Sequence, residues 1–204
     1  MRNPLDGRIE SVLDDSEVYA RILQRKSEFS RKIHAPLDEK FSELTFCTLT
    51  ANTSAEMGMR CEARILAEQK YDVESLRKTL VACRYRFPNT RSRFISMNYK
   101  KMDLLDDILQ KDERRELLVE NYIGIGMKEA SHFLRNIGYF QYPILDKHIQ
   151  RFLSSYFGKE VKIKNKRDYE KEEKLFLEIS GEYGLEPGIM DLVIWYIMTG
   201  KVLK

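Results

Sequence analysis

Glu120-Asn121-Tyr122-Ile123-Gly124-Ile125-Gly126-Met127-Lys128-Glu129-Ala130-Ser131-His132-Phe133-Leu134-Arg135 is the stretch on which the fold turns. It sets a Gly-x-Gly turn between two helical patterns and places a lysine on the first turn of the second. The first pattern, Glu113 to Val119, follows Asp112, which predicts a helix start there. The second runs from Met127 to about Ile137 and meets Gly138, a predicted C′ residue. No strand pattern precedes the glycines, so a dinucleotide-binding loop is excluded. Two readings of the turn stay open, an ordinary tight helix–helix turn and a helix-hairpin-helix. In the second, Gly124 and Gly126 supply torsions and a close approach that a Cβ would block. The N–H groups of the turn and of the following helix start then point at a phosphate. Such a contact positions a duplex without reading its sequence.

Outward from the hairpin the chain reads as helix after helix. Asp14-Asp15-Ser16 supplies caps for a helix carrying Val18, Ile22, Phe29 and Ile33, which His34-Ala35-Pro36 ends. Phe41, Leu44, Cys47 and Thr48 line the next, and Ala51-Asn52-Thr53-Ser54 closes it and can cap a third through Ile65 and Leu66. Val73, Leu76, Leu80 and Val81 mark a fourth; Phe94, Ile95 and Met97 follow Pro88-Asn89-Thr90 in a fifth; Met102, Leu104, Leu105 and Ile108 mark another. Beyond the hairpin, helices are predicted from Asp146 to Phe157, from Asp168 to about Tyr183, and from Pro187 to Thr199-Gly200. There is no convincing alternating strand run, no repeat and no low-complexity tract. The expected class is all-α, with about ten helices.

Composition narrows the function. The 204 residues suffice for one large domain or two small lobes, and 43% hydrophobic content allows a sizeable core. The net charge is only +3, so a grip on nucleic acid must come from a local patch. Cys47, Cys61 and Cys83 form no CxxC pair, which argues against a disulfide framework, a zinc site and an iron–sulfur cluster and for buried thiols in a cytoplasmic protein. No apolar run is long enough for a membrane span, and the first residues do not read as a signal peptide. His34, His132 and His148 share no metal-ligand spacing.

Two residues carry the candidate chemistry. Lys128 sits at a helix start, where the positive end of the dipole opposes its charge and favours the neutral amine. A neutral amine attacks a sugar C1′ and forms a Schiff base; the plainer role for Lys128 is a solvated phosphate contact. Asp146, eighteen residues on, reads as the N-cap of the next helix. The same helix start favours its carboxylate, which near a sugar stabilises positive charge at C1′ and assists deprotonation of a nucleophile. The two readings of Asp146 are compatible.

Gly124-Ile125-Gly126-Met127-Lys128 followed by Asp146 resembles the helix-hairpin-helix superfamily of DNA glycosylases. Lys128 to Tyr139 and Asp191-Leu192-Val193-Ile194-Trp195-Tyr196 are similar to the short, archaeal-type 8-oxoguanine DNA glycosylase/AP lyases, and the resemblance covers essentially the whole chain. It implies a two-lobed fold with the active site in the cleft between lobes. Residues 37–137 would form one lobe, including the hairpin at 113–138, and residues 1–36 with 138–204 the other, all within one glycosylase unit of residues 1–204. It implies Lys128 as the Schiff-base nucleophile, Asp146 as the catalytic aspartate, and the end of the chain at Lys204 as a discriminator of 8-oxoguanine from guanine. A terminal carboxylate suits the additional N7–H donor of the damaged base.

Trp195 would stack on the extruded base or belong to the core. Arg84-Tyr85-Arg86-Phe87 would wedge into the duplex, with Arg86 and Phe87 as its contacts, or simply pack a helix end. Asn52 would meet the opposite strand, and Gly124 and Gly126 the backbone. Carbonyls of Glu120, Tyr122 and Ile125 would hold a structural cation; no cofactor is required for the chemistry, and the cysteines for an iron–sulfur cluster are missing. The expected partner of this monomer is duplex DNA containing 8-oxoguanine, and no membrane. Two other functions remain: a glycosylase/lyase for another oxidised base, and a non-catalytic helix-hairpin-helix DNA-binding module.

Overall fold

The computed structural model describes residues 3–203. Every regular element among them is helical: α1 (Asp6–Asp14), α2 (Ser16–Arg31), a 3-10 turn (Lys32–His34), α3 (Leu37–Thr50), α4 (Ala55–Glu68), α5 (Val73–Ala82), α6 (Pro88–Tyr99), α7 (Leu104–Leu109), α8 (Arg114–Asn121), α9 (Met127–Asn136), α10 (Lys147–Phe157), α11 (Lys166–Glu182) and α12 (Pro187–Thr199). None is long and apolar enough to cross a membrane.

Local rules place most of the boundaries. Asp15 caps α2 by accepting from Glu17 N and Val18 N, and Ser54 caps α4 through Met57 N. Gly138, at φ +99°, ends α9 with bonds from Gly138 N to Arg135 O and from Tyr139 N to Leu134 O, the pattern of a Schellman motif. Pro187 opens α12 and Gly200, at φ +71°, closes it. Three expectations need correction. The sequence reading missed α1, which starts after Leu5 without a side-chain cap and buries just Ile9 and Val12. Asp112 does not open α8, since Glu113 precedes its first residue, again without a side-chain cap. The helix expected from Asp168 begins at Lys166, capped by Asn165.

The chain divides into two compact units, Met1–Ile33 with Leu134–Lys204 and His34–Phe133; the two sequence breaks between them fall within the 3-10 turn and within α9. In the first, α12 packs against α1, α2, α10 and α11. Its Gly188–Ile194 turns are wholly buried, so it forms the core rather than a face of it. Truncating Leu192, which is 2% exposed, to alanine would cost about 2–5 kcal/mol. In the second, α3 packs against α4, α6 and α7. Leu49, Cys61, Ile65, Leu76, Leu80 and Ile95 form a core cluster there. The three cysteines are buried free thiols, and burial beside Cys83 pushes the Cys61 thiol up to about 12.

Candidate functional site

The hairpin between α8 and α9 is pinned from α6 and the residues just after it. Asn98 Nδ2 donates to Ile123 O at 3.0 Å while its Oδ1 accepts from Ile123 N at 2.8 Å. Lys101 Nζ donates to Asn121 O, and the buried Tyr122 hydroxyl donates to Lys101 O, both at 3.0 Å. Gly124 adopts φ +79°, and a Cβ on it would lie 2.5 Å from the Phe94 ring. Glycine is therefore required here on two counts. Gly126 differs from the expectation for it. Its φ is not in the left-handed region, and its Cβ position is approached by the end of one flexible side chain, Glu129 Oε2 at 3.2 Å. The torsions of the fold do not demand a glycine at 126, and the one group a Cβ would press on is the Glu129 carboxylate.

Gly126 O accepts the first helical bond from Ala130 N, so Gly126 is the N-cap of α9, with Lys128 second and Glu129 third in the helix. The Lys128 side chain is 30% exposed and its Nζ lies 2.9 Å from Glu129 Oε1. The other carboxylate oxygen, Oε2, accepts from Gly126 N at 3.3 Å. Reaching back from the third position to the N-cap N–H is half of a capping box. Sequence reasoning set Lys128 against the helix dipole alone and missed this carboxylate. Neighbours in sequence do not normally face each other on a helix, but the capping bond turns Glu129 back toward the hairpin.

The other candidate DNA contacts of this unit lie on two loops tied to one frame. Asn52 is exposed at φ +65°, and Arg84, at the start of the proposed wedge, has φ +58°. Non-glycine residues in this region are uncommon and cluster at functional sites. Tyr85 OH donates to Leu49 O at 2.6 Å, tying the wedge loop to the end of α3. Arg91 Nη2 donates to Ala51 O at 3.0 Å, and its Nη1 would be 3.4 Å from a Cβ on Gly124. Arg91 thus stands between the Asn52 turn and the hairpin. Arg86 is exposed and sits over the Phe87 ring, 4.9 Å from its centroid. Phe87 is half-buried and packs against the α3–α6 core, so part of its ring is already committed to the fold.

Asp146 belongs to the other unit. It is the predicted N-cap: Oδ1 accepts from His148 N at 2.8 Å and from Ile149 N at 2.9 Å. The segment before it is braced group by group. Tyr169 OH donates to Pro143 O at 2.9 Å and accepts from Leu145 N at 3.3 Å. Asp191 Oδ2 accepts from Ile144 N at 3.1 Å, and Gln150 Nε2 donates to Leu145 O at 3.2 Å. Asp146 N itself donates to Ile144 O. These bonds fix where the Asp146 carboxylate points.

Asp191 is 3% exposed inside the apolar α12. Burial pushes its carboxyl up to about 7, opposed by the Arg135 guanidinium and the Ile144 N–H and aided by the Asp146 charge. Arg135 Nη1 stands 4.0 Å from Asp191 Oδ1, too far for a hydrogen bond, so it offsets burial only in part. Trp195 is half-buried, and its ring meets His148 edge-on at 6.1 Å, beside the turn that Asp146 caps. Lys204 lies outside the described residues.

The family model for 8-oxoguanine DNA glycosylase, helix-hairpin-helix type, matches residues 22–185. The 8-oxoguanine DNA glycosylase/AP lyase of Picrophilus torridus is 41% identical over 201 residues, covering 96% of each chain. That of Thermoplasma volcanium is 47% identical over 171 residues, covering 82% of this chain and 83% of its own. The crystal structure of Methanocaldococcus jannaschii 8-oxoguanine glycosylase/lyase in complex with DNA containing 8-oxoguanine superposes with a TM-score of 0.91 at 36% identity, over 98% of this chain and 99% of that one. By sequence and by fold, the chain belongs to the helix-hairpin-helix 8-oxoguanine DNA glycosylase family.

Proposed function

We propose that this protein excises 8-oxoguanine from duplex DNA and nicks the strand at the resulting site. The observation that carries the reading is the hairpin: Gly126 at the N-cap of α9, with Lys128 on the first turn of that helix and its side chain 30% exposed. The relatives' activity supports the choice of lesion. Lys128, as the free amine, attacks C1′ of the damaged nucleotide. The C1′–N9 bond breaks and the base leaves with its electron pair and one amine proton; the C1′–O4′ bond then opens, O4′ takes the second amine proton, and a Schiff base remains between Lys128 and the opened sugar. Loss of a C2′ proton then expels the 3′ phosphate by β-elimination and nicks the strand.

Asp146, held by its cap and by the braced loop, supplies a fixed negative charge for the positive charge that develops at C1′. Trp195 offers a ring face to the extruded base. Arg86 and Phe87 fill the vacated space, Asn52 meets the opposite strand, and Gly124 and Gly126 receive the backbone. The chemistry needs no cofactor. The carbonyls of Glu120, Tyr122 and Ile125 suit an oxygen-seeking cation: those of Asn121 and Ile123 are taken by Lys101 and Asn98, while Tyr122 O carries a long 3.4 Å bond from Ile125 N. A cation there would brace the turn.

Borohydride trapping on a duplex with 8-oxoguanine opposite cytosine tests the reading. A covalent adduct is expected with the natural protein and its loss with Lys128→Gln. A stronger adduct on an oxidised pyrimidine would reassign the lesion. Duplex binding without an adduct on any damaged base would reduce the protein to a binding module.

A further inference from the structure

Glu129 is a charged group of the hairpin that the proposed chemistry does not use. Its carboxylate is split between two partners that the reaction needs elsewhere: Gly126 N, at 3.3 Å, and Lys128 Nζ, at 2.9 Å. The side chain is 15% exposed, so this is an ordered clasp and not a passing surface pair. An anion at a helix start is favourable, and Glu129 supplies it from within the chain. A DNA phosphate docking on the hairpin seeks the same N–H and the same positive end of the helix. One N–H cannot serve two anions, and two anions so close repel.

We propose that Glu129 is a positioning residue that stands in for a DNA phosphate, holding the Gly126 N–H and the Lys128 ammonium until a backbone phosphate displaces it and releases the lysine. The idea rests on the glycosylase reading above. It accounts for the glycine at 126, where the Cβ of any other residue would press on Glu129 Oε2 at 3.2 Å. It also couples docking to activation: the phosphate that seats the hairpin is what frees the nucleophile.

The test is Glu129→Gln, whose amide oxygen can still accept from Gly126 N while the charge is gone, with Glu129→Ala as a second variant that gives up the cap bond too. Both should bind undamaged duplex more tightly than the natural protein, by roughly threefold to tenfold at low salt, with a salt dependence steeper by up to about one phosphate contact. A residue that merely capped the helix would move affinity the other way or not at all. In single-turnover borohydride trapping at saturating DNA, Glu129→Gln should stay within about threefold of the natural protein, because the clasp is already open once DNA is bound. Unchanged or weaker duplex binding by both variants overturns the proposal. So does a loss of about 100-fold at saturating DNA, which would place Glu129 in the chemistry itself. A natural protein that gives no Lys128-dependent adduct at all is a separate result; it removes the glycosylase reading, and the clasp with it.

Discussion

Asp191→Asn separates two opposed influences on one buried carboxyl. Asp191 lies in the core helix α12, accepts the Ile144 N–H, and faces Arg135 at 4.0 Å. Burial raises it from an ordinary value of 3.8 to about 7. Between those values the folded protein keeps a proton that the unfolded chain has released. Stability therefore falls as pH rises through the window and levels off above the folded value. The gap from 3.8 to about 7 corresponds to roughly 4 kcal/mol across the whole window. Asparagine keeps the shape and the acceptor for Ile144 N–H but does not titrate. Urea denaturation at pH 4, 5, 6, 7 and 8 should find the two proteins close in stability at pH 4, at the foot of the window. The asparagine variant should then gain on the natural protein by up to about 1.4 kcal/mol per pH unit until pH 7 and hold its lead beyond. A difference that does not change with pH refutes the reasoning. A natural protein that gains on the variant as pH rises refutes it in the opposite sense, because Arg135 would then outweigh burial and keep the carboxylate ionised.

Asp146→Asn tests whether the cap and the catalytic charge are separable. Asparagine caps a helix as well as aspartate, so the melting temperature should change little while base excision falls at least about 100-fold; an equal loss of both would make Asp146 a structural cap alone. Tyr169→Phe removes the hydroxyl that joins Pro143 O and Leu145 N, which should cost about 1–3 kcal/mol in denaturant melts. It should slow excision by about tenfold with duplex affinity unchanged, and normal excision would show that the brace does not position Asp146. Gly124→Ala forces a side chain into φ +79° against the Phe94 ring, a strain of about 1–2 kcal/mol before any clash. It should weaken duplex binding in fluorescence anisotropy, and unaltered binding would mean that the hairpin does not hold DNA.

The fold was legible at most helix ends that a short-range rule governs, although the Asn165 cap of α11 was passed over. Asp15, Asp146, Gly138 and Gly200 each sit within a few residues of the groups they satisfy, so the sequence displays both partners at once. α1 escaped although a short-range signal precedes it, with Asn3 Oδ1 accepting from Leu5 N and Asp6 Oδ2 from Asn3 N, because two buried residues do not make a period. The candidate site divides in the same way. Lys128 and Asp146 draw their meaning from adjacent residues. Tyr169, Asp191 and Tyr85 draw theirs from backbone groups 26, 47 and 36 residues away, and no pattern in the sequence pairs them. One of them did leave a trace. Asp191 is the sole carboxylate in the apolar run Pro187–Thr199, and a charge in such a helix is rarely buried without a specific partner.

The two hairpin glycines look equivalent in sequence and are not. Gly124 answers to the chain itself, through its positive φ and the ring of Phe94. Gly126 answers to neither, and its Cβ position is bounded by the carboxylate of Glu129. A motif records which residues recur together but not which force requires each. At 124 the requirement is torsional, so a substitution there strains the fold with or without DNA. At 126 the requirement arises where an anion meets the helix start, whether that anion is Glu129 or a phosphate. The same reasoning explains why Glu129 passed unnoticed: three residues after Gly126 it looks like an ordinary capping partner. Its second contact, with Lys128, turns the cap into a constraint on the nucleophile.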